Sequence, residues 1–507
     1  MERSLARGPS VADASPRLQR ATLATGVAIV FAMLVVYNIG ALERENFYNH
    51  FVWQAAAWLE GEAGIRYPVT QADGLGAVND YFQDVLPIED ASGAPTGRAL
   101  IPFPPLPALV LLPFVAVLGL TTDAALVAAV LGALVVGLAF HVIGRLPVSP
   151  RVRLLTTVLF GVGTVFWYAS QLGSTWYIAH VVAVGLTFLA ILVALDADPR
   201  AVAASAHDDW EDPRDRDQPD AMPDVGAGEG VSPPGARIEG DHEPAVAPIA
   251  WSSLWPLSGS QFLAGLLLGL AATARLPMVL GLPFFVLVGG GGNWLRRGAS
   301  AAIGAAIPVL GLVLYNLVTT GHIFHPAYEY LYRVETGFYP LLFPYLEYNP
   351  EWAIEDPRYI PQNLRLMLLG LPEILPRCDL PGAVRGIFDA GCPYLRPRAD
   401  GMSLLLTTPA FLLAIPAVRG WGRGRLVTGA ILAIVLIAIL NLMHFSQGWV
   451  QFGYRFSNDF APFLLLLVAV GIERLRGPRW AAVAVVAVVV SIGVNAWGVA
   501  WGGILGW

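Results

Sequence analysis

The chain has 507 residues and a formal net charge of −7; 55% of its residues are hydrophobic and only 14% are charged. Apolar runs close to the roughly 20 residues that cross a hydrocarbon core recur along the sequence, which excludes a soluble globular protein. The composition predicts an all-α, polytopic transmembrane protein of a cell membrane with membrane lipids around it, and nothing in it indicates nucleic-acid binding.

The basic residues restrict the chemistry, because all 31 of them are arginine. Schiff-base chemistry on lysine and phosphate binding by a lysine ammonium group are therefore excluded. A phosphate must be held by Arg, His or backbone N–H groups. No nucleotide-binding loop, Ser-His-Asp order or CxxC pair occurs, so nucleotide-driven transport is not expected. Cys378 and Cys392 lie in one loop and predict a structural disulfide or two idle thiols rather than a metal site.

Eleven apolar segments are predicted to span the membrane. The run 104–120 is interrupted by prolines and is predicted to be a re-entrant or surface element, because only then do the short Arg-rich loops share a side with the basic N-terminus. A twelfth helix is the alternative, and the N-terminus is predicted to be a cytoplasmic signal anchor. The predicted spans are 21–41, 122–143, 153–171, 175–195, 260–274, 276–291, 299–319, 401–418, 426–443, 458–474 and 480–503.

The spans and loops divide the chain into five regions. The predicted regions are an N-terminal transmembrane module 1–195 with a first outer loop 42–121, a cytoplasmic acidic loop 196–258, helices 259–319 that complete the core, an outer-face loop 320–400 and C-terminal spans 401–507. The acidic loop has too few large apolar residues to offset chain entropy and is predicted to be disordered. The outer loops are expected to carry short surface helices, one of them at 51–61.

The first outer loop carries the candidate catalytic acids, which are Glu43, Glu45, Asp80 and Asp84. A carboxylate there could act as general base on an acceptor hydroxyl, or it could bind a divalent cation, Mg²⁺ or Mn²⁺, that neutralises a leaving phosphate. Glu45 is the first choice as base, with Asp80 second and Glu43 beside them. His50 follows at once and is a candidate substrate contact.

Two candidate binding residues lie near helix ends. His180 stands among outer-face aromatic residues, which form either an interface belt or a platform for a sugar that His180 would contact. Arg275 precedes Pro277 and either snorkels to the membrane surface or faces a cavity or an anion. Both alternatives stay open for each residue.

The late outer loops supply further candidates for holding a lipid phosphate. Arg333, Arg358 and Arg365 qualify by position, whereas His322 and His325 are not expected to ligate a metal because acidic partners are sparse nearby. In the last outer turn, Tyr454, Arg455 and Asp459 stand at the mouth of a span. Arg455 and Asp459 are four residues apart and could pair on one helix face, or Asn458 or Asp459 could simply cap that helix.

Several stretches together resemble the GT-C superfamily of polyprenyl-phosphate-sugar-dependent membrane glycosyltransferases, in the group of protein O-mannosyltransferases and the lipid A aminoarabinose transferase. The matching stretches are the acids after the first span, the helix 50–61, Pro104-Pro105-Leu106-Pro107, and the segments 161–180, 269–277 and 452–462. The family's first-loop acid is usually Asp, whereas Glu43 and Glu45 are nearest here.

The resemblance implies an inverting hexosyl- or pentosyltransferase that works at the extracytoplasmic face. A polyprenyl-phosphate sugar would be the donor, and a glycan, lipid or protein hydroxyl would be the acceptor. The alternatives are a transporter or flippase of lipid-linked glycans, a ligase or polymerase that uses lipid-pyrophosphate-linked glycans, and an inactive scaffold.

Overall fold

A computed structural model describes residues 16–39, 48–204, 257–342, 346–349, 351–375, 385–422, 424–448 and 450–506. Glu43, Glu45, Cys378 and most of the predicted acidic loop lie outside these residues. Eighteen helices and five short strands are described, so the predicted helical fold is confirmed and sheet is minor.

The helices and strands follow one another along the whole described chain. The helices are α1 Pro16–Asn38, α2 His50–Leu59, α3 Leu106–Leu118, α4 Ala124–Ile143, α5 Pro150–Val162, α6 Val165–Leu172, α7 Thr175–Asp196, α8 Pro199–Ala204, α9 Gly259–Ala272, α10 Leu282–Leu287, α11 Trp294–Thr320, α12 Ala327–Leu342, α13 Ile360–Leu369, α14 Leu404–Thr407, α15 Ile415–Val418, α16 Arg425–Met443, α17 Ser457–Arg474 and α18 Pro478–Ile504. The strands are β1 Ile65–Arg66, β2 Leu86–Glu89, β3 Pro95–Leu100, β4 Glu373–Ile374 and β5 Leu395–Arg396.

Six described helices are long and apolar enough to cross a membrane: α1 from Arg20 onward, α4, α7, α11, α16 and α18. The pair α5 and α6, bent by 50°, makes a seventh if it counts as one span. The predicted count of eleven is therefore not confirmed. Several predicted spans are broken or short: α9 has 14 residues, and the segments that contain α10 and α15 each include a 3₁₀ turn.

Helix α17 is long enough to cross but carries three charged residues, Asp459, Glu473 and Arg474. Fifteen of its 18 residues are buried, which makes it a central helix packed by α16, α7 and α5 rather than a lipid-facing one. Helix α3 has 13 residues, with Pro113 inside it, and covers about 20 Å. That length is below the hydrocarbon thickness and agrees with the expectation that this run is not an ordinary span.

Small residues set the closest helix pair, α9 against α11. A Cβ placed on Gly265 would lie 2.0 Å from the Ala301 carbonyl oxygen, and one on Gly304 would lie 2.1 Å from the Phe262 carbonyl oxygen. Such close backbone approach is the usual packing mode of helices in lipid, where small residues replace the hydrophobic driving force. This pair fixes where α9 ends, and therefore where Arg275 stands.

The far side of α11 presents apolar residues outward. Leu310, Leu314 and Val318 are 63%, 62% and 76% exposed, and they lie four residues apart on one face. Comparable rows lie on α1 and α18. A surface of this kind suits lipid contact and supports the membrane assignment.

The first outer loop is folded around its own small core. Strands β1, β3 and β2 form an antiparallel sheet in that order, and Trp53, Ile65, Phe82 and Ile101 pack beneath it. Seven of the ten residues of α2 are buried, because it packs between this core and α3. The helix predicted at 51–61 therefore exists but is enclosed by protein.

Candidate functional site

Four side chains meet where the ends of four helices converge. His180 lies in the second turn of α7, Arg275 directly follows α9, Asn441 lies in the last turn of α16, and Asp459 lies in the first turn of α17. We call these four residues the polar cluster. They come together because antiparallel neighbouring helices bring the start of one beside the end of the next.

Asp459 is the centre of the polar cluster and is fully buried. Its Oδ1 accepts hydrogen bonds from His180 Nδ1 at 2.9 Å and from Arg275 Nε at 3.2 Å. Its Oδ2 accepts from Arg275 Nη2 at 2.8 Å and from Asn441 Nδ2 at 3.1 Å. Four donor atoms, two of them from one bidentate guanidinium, are the conditions under which a buried carboxylate is tolerated.

Local sequence explains the positions of the two charges. Helix α9 ends at Ala272 with Thr273 as its C-cap, and Arg275 takes an extended backbone conformation as the N-cap of a 3₁₀ turn that begins at Leu276 and contains Pro277. Asp459 stands in the first turn of α17, where the helix dipole favours a negative charge. The cationic side chain thus follows a helix C-terminus and the anionic one lies at a helix N-terminus.

Arg455 lies beside the polar cluster but has different surroundings. It is 8% exposed, and among the described residues no carboxylate lies within ion-pair distance of it. Its guanidinium carbon lies 5.4 Å from the Phe456 ring centroid, 5.8 Å from that of Tyr177 and 5.9 Å from that of Trp176. These rings stabilise a cation by cation–π contact but do not neutralise it.

The predicted pair between Arg455 and Asp459 does not form. Helix α17 begins at Ser457, so Arg455 precedes it and the four-residue helical spacing does not apply. Asp459 pairs instead with Arg275, whose guanidinium lies 5.1 Å from the same Phe456 ring that Arg455 contacts. Two guanidinium groups therefore share one aromatic ring, and within the described residues only that of Arg275 has a carboxylate partner.

Several buried polar atoms around Arg455 have no protein partner. They are Arg455 Nε, both side-chain polar atoms of Asn458, the Tyr454 hydroxyl and His180 Nε2. Burial raises the pKa of the Tyr454 phenol, the charge of Asp459 adds to this effect and Arg275 opposes it. Tyr454 therefore lies within electrostatic range of the polar cluster. Orphaned polar atoms gathered around a buried cation are what a bound polar ligand would satisfy.

The turn that precedes α17 is strained. Val450 has φ +48°, a conformation that a β-branched residue rarely adopts. The Tyr177 hydroxyl donates to the Val450 carbonyl at 3.1 Å and helps to hold it there. Gly448, at φ +111°, lies against Arg455, since a Cβ there would come within 2.7 Å of the guanidinium carbon. Local strain of this kind concentrates at functional sites.

The Tyr328 phenol on α12 is influenced by charges from separate parts of the chain. Burial raises the pKa of this phenol, the charge of Arg275 opposes this, and the carboxylates of Glu355 and Asp84 add to it. Burial works to raise the pKa of Glu355, but its contact with His444, at 3.3 Å, lowers it overall.

The first-loop acids are placed unequally. Asp80 is exposed on a turn, whereas Asp84 is only 9% exposed. Burial raises the pKa of the Tyr48 phenol, and the negative charge of Asp84 raises it further. In the sequence, the indication that Asp84 is buried is its position between two apolar residues, Phe82 and Val85. Both of these residues are buried in the structure. Glu43 and Glu45 lie outside the described residues.

His50 is placed in the packing of the first outer loop. Its Nδ1 lies 2.9 Å from Thr175 Oγ1 and its ring stacks on Phe82 at 3.9 Å. Complete burial lowers the pKa of His50 to about 3, so its ring is neutral. The structure therefore gives His50 partners within the protein, at the junction of the first outer loop with α7.

The arginines of the loop 320–400 are separate from the polar cluster or paired elsewhere. Arg333 pairs with Glu329 on the exposed side of α12, and Arg365 is exposed on α13. Arg358 pairs with Asp356 at 2.7 Å and lies 4.5 Å from the Trp352 ring centroid. The Arg358 guanidinium holds the pKa of Asp356 well below its usual range.

The metal-ligating residue types do not gather in the described part of the chain, where no group of three or more His, Cys, Asp or Glu side chains could hold a metal ion. His322 is exposed, while burial lowers the pKa of His325 to about 4. Cys392 is buried and disulfide-bonded, as one of the two predictions for the cysteines had it.

Comparisons with protein-family models, curated proteins and solved structures found no match to this chain. The site is therefore argued from its own geometry. That geometry joins a neutralised carboxylate, a partly exposed arginine and a buried arginine that has no carboxylate partner in the described part of the chain.

Proposed function

We propose that this protein is a membrane glycosyltransferase that moves a sugar from a polyprenyl-phosphate donor to an acceptor hydroxyl at the outer face of the cytoplasmic membrane, with inversion. The observation that carries the proposal is the Arg455 guanidinium, which is buried in an aromatic recess, lacks a carboxylate partner among the described residues and adjoins orphaned polar atoms. The resemblance to the GT-C superfamily supports the same conclusion.

The charge balance favours an anionic ligand. Asp459 already neutralises Arg275, and Arg455 has no carboxylate partner among the described residues. A buried charge without a partner is costly, and phosphate oxygens accept well from a guanidinium. In a transfer from a lipid phosphate, Arg455 would stabilise the charge that develops on the leaving phosphate, and no general acid is needed.

A first-loop carboxylate would take the proton of the acceptor hydroxyl. Asp84 joins Glu45, Asp80 and Glu43 as a candidate for this base, because it is buried and acts on Tyr328 together with Arg275. General-base catalysis requires such a group within hydrogen-bond reach of the acceptor. A divalent cation, Mg²⁺ or Mn²⁺, remains the second way in which a first-loop acid could act.

The transporter alternative also has one observation in its favour. Transporters place paired charges between membrane helices, and Arg275, Asp459 and His180 form such a group. In the proposed enzyme, these three side chains keep the same partners and hold the site in place. In a transporter they would exchange partners during the transport cycle.

The proposal is tested with purified protein in liposomes that contain a radiolabelled polyprenyl-phosphate sugar, together with a panel of hydroxyl acceptors. Wild-type protein is expected to yield a glycosylated acceptor. Asp84→Asn is expected to lower the rate by about 10²–10⁴-fold, the usual contribution of a general base, while Asp80→Asn stays close to wild type. Glu45→Gln completes the series.

Full transfer by all three variants would contradict the base assignment. Movement of the labelled donor across the bilayer without any glycosylated product would contradict the enzyme and favour the transporter. Transfer from a pyrophosphate-linked donor alone would favour the ligase or polymerase.

A further inference from the structure

A second outer-face feature is independent of the polar cluster. Six large apolar side chains between α13 and β5 are 37% to 69% exposed. We call them the outer patch; they are Leu368, Leu369, Leu371, Ile374, Ile387 and Phe388. The pairing of β4 with β5 and the hydrogen bond from the Tyr394 amide to the Gly386 carbonyl join the chain around Ile374 to the chain before Ile387. Exposed apolar side chains grouped in this way mark contact with a membrane or a partner.

The first outer loop shows that exposure of this kind is not general to the outer face. Between residues 48 and 105, all of which are described, the large apolar side chains with high exposure are Leu59 and Leu75. The others pack into the loop's own core, as Phe82 and Ile65 do. The segment around α13 therefore leaves apolar surface uncovered where the first loop does not.

The outer patch continues the apolar surface of a neighbouring membrane segment. The Ser403 amide donates to the Gly370 carbonyl at 2.8 Å, and its hydroxyl donates to the Leu368 carbonyl at 2.7 Å. Ser403 caps the start of α14, which carries exposed Leu406, and exposed Leu412 and Ile415 follow in the broken apolar helix 409–418. These hydrogen bonds therefore hold the end of α13 against the start of an apolar segment that also exposes large apolar side chains.

The charges beside the outer patch suit a phospholipid headgroup layer. Arg365 is exposed on α13, and Arg396 pairs with Glu373 at 2.8 Å while keeping part of its side chain in the open. Arg385 lies 4.7 Å from the ring centroid of Tyr394, which is itself half exposed. Arginine and tyrosine beside apolar residues are typical of membrane interfaces, where an apolar stem and a polar tip are both satisfied.

We propose that the outer patch inserts into the outer leaflet of the bilayer that the helices cross, with Arg365 and Arg396 at the level of the lipid phosphates. The described parts of the segment, 360–375 and 385–396, then form an interfacial anchor. The proposal does not depend on the reaction that the protein catalyses.

The test uses single cysteines that carry an environment-sensitive fluorophore in the full-length protein, reconstituted at one copy per lipid nanodisc. The described part of the chain has no free cysteine to compete for the label. Ile374→Cys and Phe388→Cys report the outer patch, and Leu75→Cys, an exposed residue of the first outer loop, is the matched control. Quenching by aqueous iodide is compared with quenching by nitroxide-labelled lipid.

We expect iodide quenching at Ile374 and Phe388 to be several-fold weaker than at Leu75, and lipid-nitroxide quenching to be several-fold stronger. Iodide access equal to that of Leu75 at both positions would overturn the proposal. Protection from iodide without quenching by lipid nitroxide would also overturn it, because the patch would then be covered by protein. Protection that arises only when several copies share a disc would assign the patch to a second copy instead.

Discussion

Arg275 and Arg455 contact the same ring, that of Phe456, but they differ in ion pairing, and burial alone does not explain this difference. The Arg275 side chain is 20% exposed and has a bidentate carboxylate partner, whereas Arg455 is 8% exposed and has none among the described residues. Desolvation makes the more buried cation the one in greater need of a partner. The difference indicates that the Arg275 region is a permanent part of the fold and that the Arg455 region is completed by a ligand.

The first and largest expected effect concerns the ion pair between Arg275 and Asp459. Asp459→Asn removes the negative charge and leaves Arg275 uncompensated, so we expect the free energy of unfolding to fall by about 3–5 kcal/mol. Thermal unfolding in detergent measures this loss. Glu329→Gln, which breaks an exposed pair with Arg333, is the control and is expected to cost about 0.3–0.5 kcal/mol. Equal stability of the two variants would remove the distinction between the two arginines.

The second prediction tests whether the contact between α9 and α11 positions Arg275 for its ion pair with Asp459. Gly265→Ala places a Cβ 2.0 Å from the Ala301 carbonyl oxygen and forces α9 away from α11, so we expect a loss of about 1–3 kcal/mol. Gly311→Ala on α11 is the matched control, because a Cβ there meets nothing within 4 Å. Thermal unfolding again gives the measurement. If both variants unfold at the same temperature, α9 is not held by this contact and Arg275 is positioned by other contacts.

The third and smallest effect concerns the turn that carries Arg455. Val450→Gly relieves a left-handed backbone conformation that costs about 1–3 kcal/mol for a residue with a Cβ, against roughly 0.5–1 kcal/mol for the added chain entropy of glycine. We expect a gain in stability of about 1 kcal/mol, together with weaker ligand binding, because the turn is no longer held in one conformation. A destabilised variant would show that Val450 packing outweighs the strain.

The outlines of the fold follow from the sequence because helix formation in lipid depends on local apolar composition. The helical character is confirmed, and six or seven of the described helices could cross a membrane; the predicted count of eleven spans is not confirmed, since apolar runs such as those around α9 and α10 form only short helices. Apolar content does not show where a helix breaks against its neighbours. The enclosure of α2 was missed for the same reason.

The candidate site was predictable as a set of residues but not as a set of partners. Arg275, His180, Arg455 and Asp459 were all singled out, yet Asp459 pairs with residues 279 and 184 positions away rather than with its near neighbour. Local spacing cannot reveal contacts between distant helix ends. Asp84 was named among the acids but not chosen, because burial within a folded loop is a tertiary property.

The most direct test of the central claim is ligand binding by Arg455. Equilibrium binding of a short polyprenyl phosphate to the purified protein is compared for wild type, Arg455→Gln and Arg66→Gln, the last being an exposed arginine that pairs with Glu60. We expect Arg455→Gln to fold like wild type and to lose binding by at least about tenfold, the equivalent of 1.4 kcal/mol, while Arg66→Gln binds like wild type. Wild-type affinity in Arg455→Gln would contradict the assignment of Arg455 to a phosphate.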